Sequence, residues 1–153
     1  MTSKILVALN SDNHEIIESE ISDRGTLKYC RFDLQDSSTF EFFSKNANEK
    51  DLNIFFCIGE SKNTNFADTF LDALDYYNLE MDLPLKFEQR YLELSKFIQS
   101  LIDLDSVKVL MVALQDGGPH QFLNISSGAE IIEPSITESK RHGCPNIIFF
   151  YRR

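Results

Sequence analysis

Hydrophobic residues in this chain gather into short continuous runs at some points and into a helical repeat at others. Three runs are almost wholly apolar and end at turn-forming residues, a pattern typical of strands that are buried on both faces. They lie at residues 4–9, 52–58 and 107–114. Residues 146–151, with the sequence NIIFFY, predict a final strand of the same kind.

Two longer segments have apolar residues at steps of three and four, which predicts amphipathic helices. The first covers residues 65–77 and the second residues 84–103. The second begins with Pro84, which a first helical turn accommodates. We expect these two helices to form a hairpin. A brief helix is also predicted over residues 37–46, where a serine at the start can act as a cap.

Three further segments are less distinctive. Residues 14–32 contain two β-permissive stretches around Gly25, and they predict a hairpin, with a helix over residues 14–22 as the alternative. Residues 121–125 and 129–132, separated by Ser-Ser-Gly, predict a second hairpin. A short helix or turn is expected over residues 135–141.

These elements predict an α+β fold in a single domain, residues 1–153. We expect a mixed sheet of about five or more strands with two main amphipathic helices packed on it. The alternative is a three-layer α/β arrangement. No repeat of fixed period and no low-complexity segment divides the chain.

The net charge of −9 is confined to the first part of the sequence. Residues 1–85 contain 16 Asp and Glu against 7 Lys and Arg, whereas residues 86–153 contain 8 of each. Such a field repels nucleic-acid phosphates and anionic membranes and attracts basic proteins. We therefore expect a basic protein partner, and neither direct nucleic-acid binding nor membrane binding.

The apolar runs are too short for a membrane span, which needs about 20 residues. The N-terminal run, residues 5–9, is also shorter than the ~7–15 apolar residues of a signal-peptide core. A cytoplasmic location is therefore expected. The three cysteines are widely spaced and have apolar neighbours, which is typical of reduced thiols.

Motifs for nucleotide binding, α/β-hydrolase chemistry and zinc binding are missing from the sequence, so we predict no enzyme activity, no cofactor and no metal. Asp116 and His120 follow a buried strand, where ligands often bind in α/β sheets, but the intervening Gly-Gly-Pro is also ordinary turn chemistry. If the strands preceding Asp12 and Asp116 were adjacent and parallel, these carboxylates would approach each other and could bind Mg²⁺. The alternative function is therefore a small-ligand-binding protein or an enzyme, with a ligand site made of Asp12, Asp116, His120 and His142.

Acidic side chains on the helix predicted at residues 65–77 carry the main functional hypothesis. Asp68, Asp72 and Asp75 project within ~60° of one another on a helix with 3.6 residues per turn. No Lys or Arg lies between Asn63 and Asp82 to offset them. The predicted partner-binding residues are Asp68, Asp72, Asp75, Tyr76, Glu80 and Asp82.

In size and in this acidic stretch, the chain resembles the small acidic immunity proteins with which bacteria block their own toxic nucleases. The stretch is similar to the carboxylate-bearing helix of barstar-type inhibitors. The resemblance covers about twenty residues and implies an antitoxin that occludes the active site of a basic, nuclease-like toxin. A solvated acidic helix face without a partner is the alternative interpretation of the same residues.

Overall fold

The structure is a computed structural model and describes residues 4–23, 36–47, 49–58, 83–115, 118–142 and 145–153. In this part of the chain five strands form one sheet. They are β1 (Lys4–Ser11), β2 (Ile54–Ile58), β3 (Val107–Gln115), β4 (Gln121–Asn124) and β5 (Ile147–Arg152). The described α-helices are α1 (His14–Asp23), α2 (Ser37–Asn46), α3 (Leu83–Ile102) and α4 (Ile132–His142). The α+β class is confirmed.

The strands lie in the order β2-β1-β3-β5-β4. All neighbours are antiparallel except β4 and β5, which are parallel, so the sheet is mixed as predicted. The predicted apolar runs form β1, β2, β3 and β5, with ends that shift by one or two residues. Strands β1, β3 and β5 lie inside the sheet, and β1 and β3 are the longest strands, with 8 and 9 residues.

Alternate residues of β1 point to opposite sides of the sheet and enter two separate cores. Ile5 and Val7 point to the larger core, which they share with α1 and α3, and we call this side the α3 face. Leu6 and Ala8 point to a smaller core with residues of α2, and we call this side the α2 face. Helices therefore cover both sides of the sheet, as in the three-layer alternative, while the mostly antiparallel pairing keeps the fold in the α+β class.

Helix α3 confirms the second predicted amphipathic helix to within one residue at each end. Its buried residues face the sheet at helical spacing and include Tyr91, Leu94 and Ile98. The other main helix, predicted at residues 65–77, lies outside the described residues, as does any hairpin between the two. None of the described helices has the combination of length and apolar character needed to cross a bilayer.

Helix α2 has the bounds that the sequence predicts, but its cap is Asp36 and not the serine that follows. A carboxylate oxygen of Asp36 accepts a hydrogen bond from the Thr39 N–H at 2.9 Å and another from the Ser38 hydroxyl at 2.7 Å. Burial raises the pKa of Asp36, but these hydrogen bonds outweigh it, and the pKa lies below the usual value.

The predicted hairpin over residues 14–32 is wrong in its first half, where the alternative, a helix, forms α1. Ile17 and Ile21 are buried together because four residues bring side chains to the same side of a helix. Asn13 begins the helix, since its side-chain oxygen accepts a hydrogen bond from the Ile16 N–H at 3.1 Å. The second half of the predicted hairpin, residues 26–32, lies outside the described residues.

The predicted hairpin over residues 121–132 is also wrong. Its first strand exists as β4, but residues Gly128–Ile131 form a 3-10 helix that continues into α4. The carboxylate of Glu130 accepts hydrogen bonds from the backbone N–H groups of Ser126 and Ser127, which starts the helical turn in the way a capping box does. The helix or turn expected over residues 135–141 is confirmed within α4.

Candidate functional site

The six predicted partner-binding residues, Asp68, Asp72, Asp75, Tyr76, Glu80 and Asp82, all lie outside the described residues. The helix face that these residues are predicted to share, and the residues around it, therefore stay a prediction. Two residues of the alternative ligand site, Asp12 and His120, lie in the described part of the chain. His142 is described only as the last residue of α4, and Asp116 lies outside the described residues.

The approach of Asp12 to Asp116 is expected only if the two preceding strands are adjacent and parallel, and this condition is not met. β1 and β3 are adjacent, as the hypothesis required, but antiparallel. Ser11, which precedes Asp12, lies opposite Val107, whereas Gln115 lies opposite Lys4 at the far end of the pair. The carboxyl ends of the two strands therefore point to opposite ends of the sheet, and Asp12 is likewise separated from His120.

His120 lies in the wall of an open groove between α2 and the segment that links β3 to β4. The groove has a volume of about 390 Å³. It is lined by Ser38, Glu41, Phe42, Lys45, Asn46, Gln115, Gly118 and His120. The carboxylate of Glu41 and the ammonium group of Lys45, both on α2, thus line the groove together with the rings of Phe42 and His120.

The imidazole of His120 packs edge-on against Phe42, with ring centroids 5.2 Å apart and planes at 76°. Its Nε2 is buried and has no hydrogen-bond partner. Burial lowers the pKa of His120, because charging an imidazole there removes its solvation. Burial therefore disfavours the charged form of the ring.

Asn146 fixes the backbone of the loop that carries His120. Its side-chain oxygen accepts a hydrogen bond from the Gly118 N–H at 3.2 Å, and its carbonyl oxygen accepts one from the Gln121 N–H at 2.9 Å. The loop is thus bonded on both sides of His120. This arrangement positions the imidazole against α2 as a packing group, and it provides no exposed acid–base pair with the neighbouring residues described above.

The sequence prediction missed an acidic surface on α1. This helix contains four acidic residues and no Lys or Arg. Asp12, Glu15 and Glu18 are exposed, and we call these three residues the α1 acidic surface. Ile16, the residue after Glu15, is 42% exposed. The signal was available in the sequence, because a helix over residues 14–22 places Glu15 and Glu18 one turn apart.

Two arginines at the C-terminus pair with carboxylates of the described residues. Arg152 forms an ion pair with Glu49 at 2.8 Å, and its guanidinium lies 5.5 Å from the centre of the Phe150 ring. Arg153 lies 3.8 Å from the carboxylate of Asp105. Positive charge from the second half of the chain therefore reaches the end of α2 and the turn after α3.

The described residues contain no group of three or more His, Cys, Asp or Glu side chains placed to hold a metal ion. Comparisons with protein-family models, curated proteins and solved structures find no match to this chain. The site geometry defines only an α+β domain with an acidic helix on one side and a polar groove on the other.

Proposed function

We propose that this protein is an acidic inhibitor that docks on a basic protein, in the manner of an immunity protein that neutralises a nuclease-like toxin in the cytoplasm. The α1 acidic surface is the observation that supports this function best. It adds described, exposed carboxylates to those that the sequence predicts on residues 65–82. Both groups belong to the part of the chain, residues 1–85, that carries the whole net charge of −9.

Electrostatics explains how such a surface works. Carboxylates that face a basic active site occupy the positions that substrate phosphates otherwise fill, and they raise the rate of association with the basic protein. Ile16, exposed beside Glu15 on α1, supplies an apolar contact next to these carboxylates. The carboxylates orient the basic protein and speed its association, and the apolar contact slows its dissociation.

The experiment uses the basic toxin domain encoded beside the gene for this protein. The full chain is titrated into that domain, and both binding and nuclease inhibition are measured. Two charge-reversal variants, Glu15→Lys/Glu18→Lys and Asp72→Lys/Asp75→Lys, test the two acidic surfaces. Glu93→Lys/Glu133→Lys is the matched control, because it changes the net charge equally on helices of the balanced half.

We expect at least one of the two acidic-surface variants to raise the dissociation constant by about tenfold or more, with a weaker effect at high salt. The control variant changes it much less. If both acidic-surface variants bind as tightly as the unmodified chain, the docking mechanism is wrong. If the neighbouring gene encodes no basic toxin, or the chain does not inhibit it, the immunity function is wrong.

A small-ligand-binding function at Asp116 and His120 is the second candidate, and the groove beside His120 is the observation that favours it. The test is a titration with small polar metabolites, followed by the NMR signals of the His120 ring and the Phe42 ring. Shifts that saturate and disappear in a Lys45→Ala variant support this function. If neither ring signal responds to any of these metabolites, the small-ligand-binding function is wrong.

A further inference from the structure

The outer strand β4 directs part of its backbone away from the sheet. The Gln121 N–H donates to the carbonyl oxygen of Asn146 at 2.9 Å, and the Ile125 N–H donates to that of Phe150 at 2.8 Å. Backbone groups alternate in direction along a strand, so Phe122 and Asn124 point their N–H and C=O groups outward. Among the described residues no strand lies beyond β4.

The side chains along this edge are exposed and uncharged. Gln121, Phe122 and Asn124 are all exposed, and Phe122 is 54% exposed. Phe122 lies opposite Ile148, which places it on the α2 face. Residues 118–125 contain no Asp, Glu, Lys or Arg, and no proline lies within β4. Charges, prolines and bulges are three devices that prevent pairing at a sheet edge, and β4, although short, has none of these three.

We propose that β4 pairs with β4 of a second copy of this chain, in an antiparallel arrangement with two-fold symmetry. Phe122 then lies opposite Asn124 of the second copy, and each pair exchanges N–H···O=C hydrogen bonds. The two-fold axis is perpendicular to the sheet and passes between the Leu123 residues. Both Phe122 side chains consequently lie on the same face of one continuous sheet, where they cover each other.

A second copy fits this edge better than a basic partner does. A basic strand would find no carboxylate on residues 118–125, whereas a second copy presents the same neutral strand and satisfies a two-fold interface by symmetry. The dimer is weak, because β4 has only 4 residues and two chains of net charge −9 repel each other. Salt therefore strengthens the dimer, since it screens this repulsion.

Sedimentation equilibrium of the full chain, over a wide range of concentrations in about 0.1 M and about 1 M NaCl, tests this proposal. We expect a monomer–dimer equilibrium that shifts toward the dimer at the higher salt concentration. Phe122→Asp places like charges near each other across the axis and raises the dimer dissociation constant by about tenfold or more. Asn124→Pro removes an outward N–H without removing a bond to β5, and it has the same effect.

Phe40→Asp is the matched control, because Phe40 is 51% exposed on α2, away from the edge, and this variant dimerises as the unmodified chain does. Far-UV circular dichroism verifies that each variant is folded. A chain that stays monomeric at both salt concentrations overturns the proposal, as does a dimer that both edge variants preserve. The salt response separates this dimer from the proposed toxin complex, because salt weakens attraction between an acidic and a basic protein.

Discussion

Gly128 approaches the backbone of α3 so closely that a β-carbon at this position would overlap the carbonyl oxygen of Ser95. The same β-carbon would also lie 2.8 Å from the backbone nitrogen of Gln99. The Gly128 N–H donates to the Gln99 side-chain oxygen at 2.8 Å, which fixes the 3-10 helix on α3. The absence of a side chain thus allows the crossover from β4 to β5 to pack against the main helix.

Gly128→Ala is expected to destabilise the protein by about 1–3 kcal/mol, because the backbone of α3 cannot move aside as a side chain can. Chemical denaturation followed by circular dichroism measures this change. Gly118→Ala is the matched control. A β-carbon there would meet only the end of the Asn146 side chain, at 3.1 Å, and this side chain can shift slightly where a helix backbone cannot. Equal losses in the two variants would show that close packing on α3 is not the cause.

Arg153 ties the C-terminus to the end of α3. Its guanidinium donates to the carbonyl oxygens of Ile102, of Leu104 at 2.9 Å and of Val107 at 3.0 Å. Arg153→Ala should cost about 1–2 kcal/mol, since these carbonyls lose a charged donor. Arg152→Ala, which removes the partly exposed pair with Glu49, should cost about 0–1 kcal/mol. Thermal unfolding of both variants measures these losses of stability. Equal losses would contradict the role of Arg153 in bonding the carbonyl oxygens at the end of α3.

The fold could be predicted where local pattern and burial agree. Residues 107–114 are apolar at almost every position because β3 is an inner strand, and α3 repeats its apolar residues at helical spacing over 20 residues. The prediction failed for α1, where the adjacent Ile16 and Ile17 suit a strand as well as a helix. There the Asn13 cap and the burial of Ile21 decide the outcome.

Strand order and direction could not be predicted, because they depend on contacts between residues distant in sequence. The antiparallel pairing of β1 with β3 sends Asp12 and His120 to opposite ends of the sheet, and no local pattern around either residue indicates this. The second hairpin failed for a similar reason. Glu130 stands three residues after Ser127, a capping-box spacing, and this competes with the β-permissive residues around it.

His120 makes stability depend on pH. Burial lowers the pKa of its imidazole in the folded protein, so the unfolded chain binds that proton more readily. This contribution to stability is present above the ordinary value of 6.5 and is lost as the pH falls below it. His120→Phe keeps an aromatic ring against Phe42 and removes the buried nitrogen that lacks a partner. The variant should therefore lose less stability than the unmodified protein between neutral and mildly acidic pH, as measured by urea denaturation. The same loss in both proteins would show that His120 is protonated freely in the fold.

Glu130 adds a pH dependence at a lower range. Hydrogen bonds from the backbone N–H groups of Ser126 and Ser127 lower the pKa of its carboxyl group in the folded protein. Its contribution to stability is therefore complete above the ordinary value of 4.5 and is lost as the pH falls through the lowered value. Glu130→Ala should be less stable than the unmodified protein at neutral pH, with a difference that shrinks as the solution becomes acidic. Glu133→Ala is the control, because that exposed side chain lies within α4, after the start of the helical turn. A difference between Glu130→Ala and the unmodified protein that stayed constant with pH would mean that the carboxylate charge does not contribute to the cap.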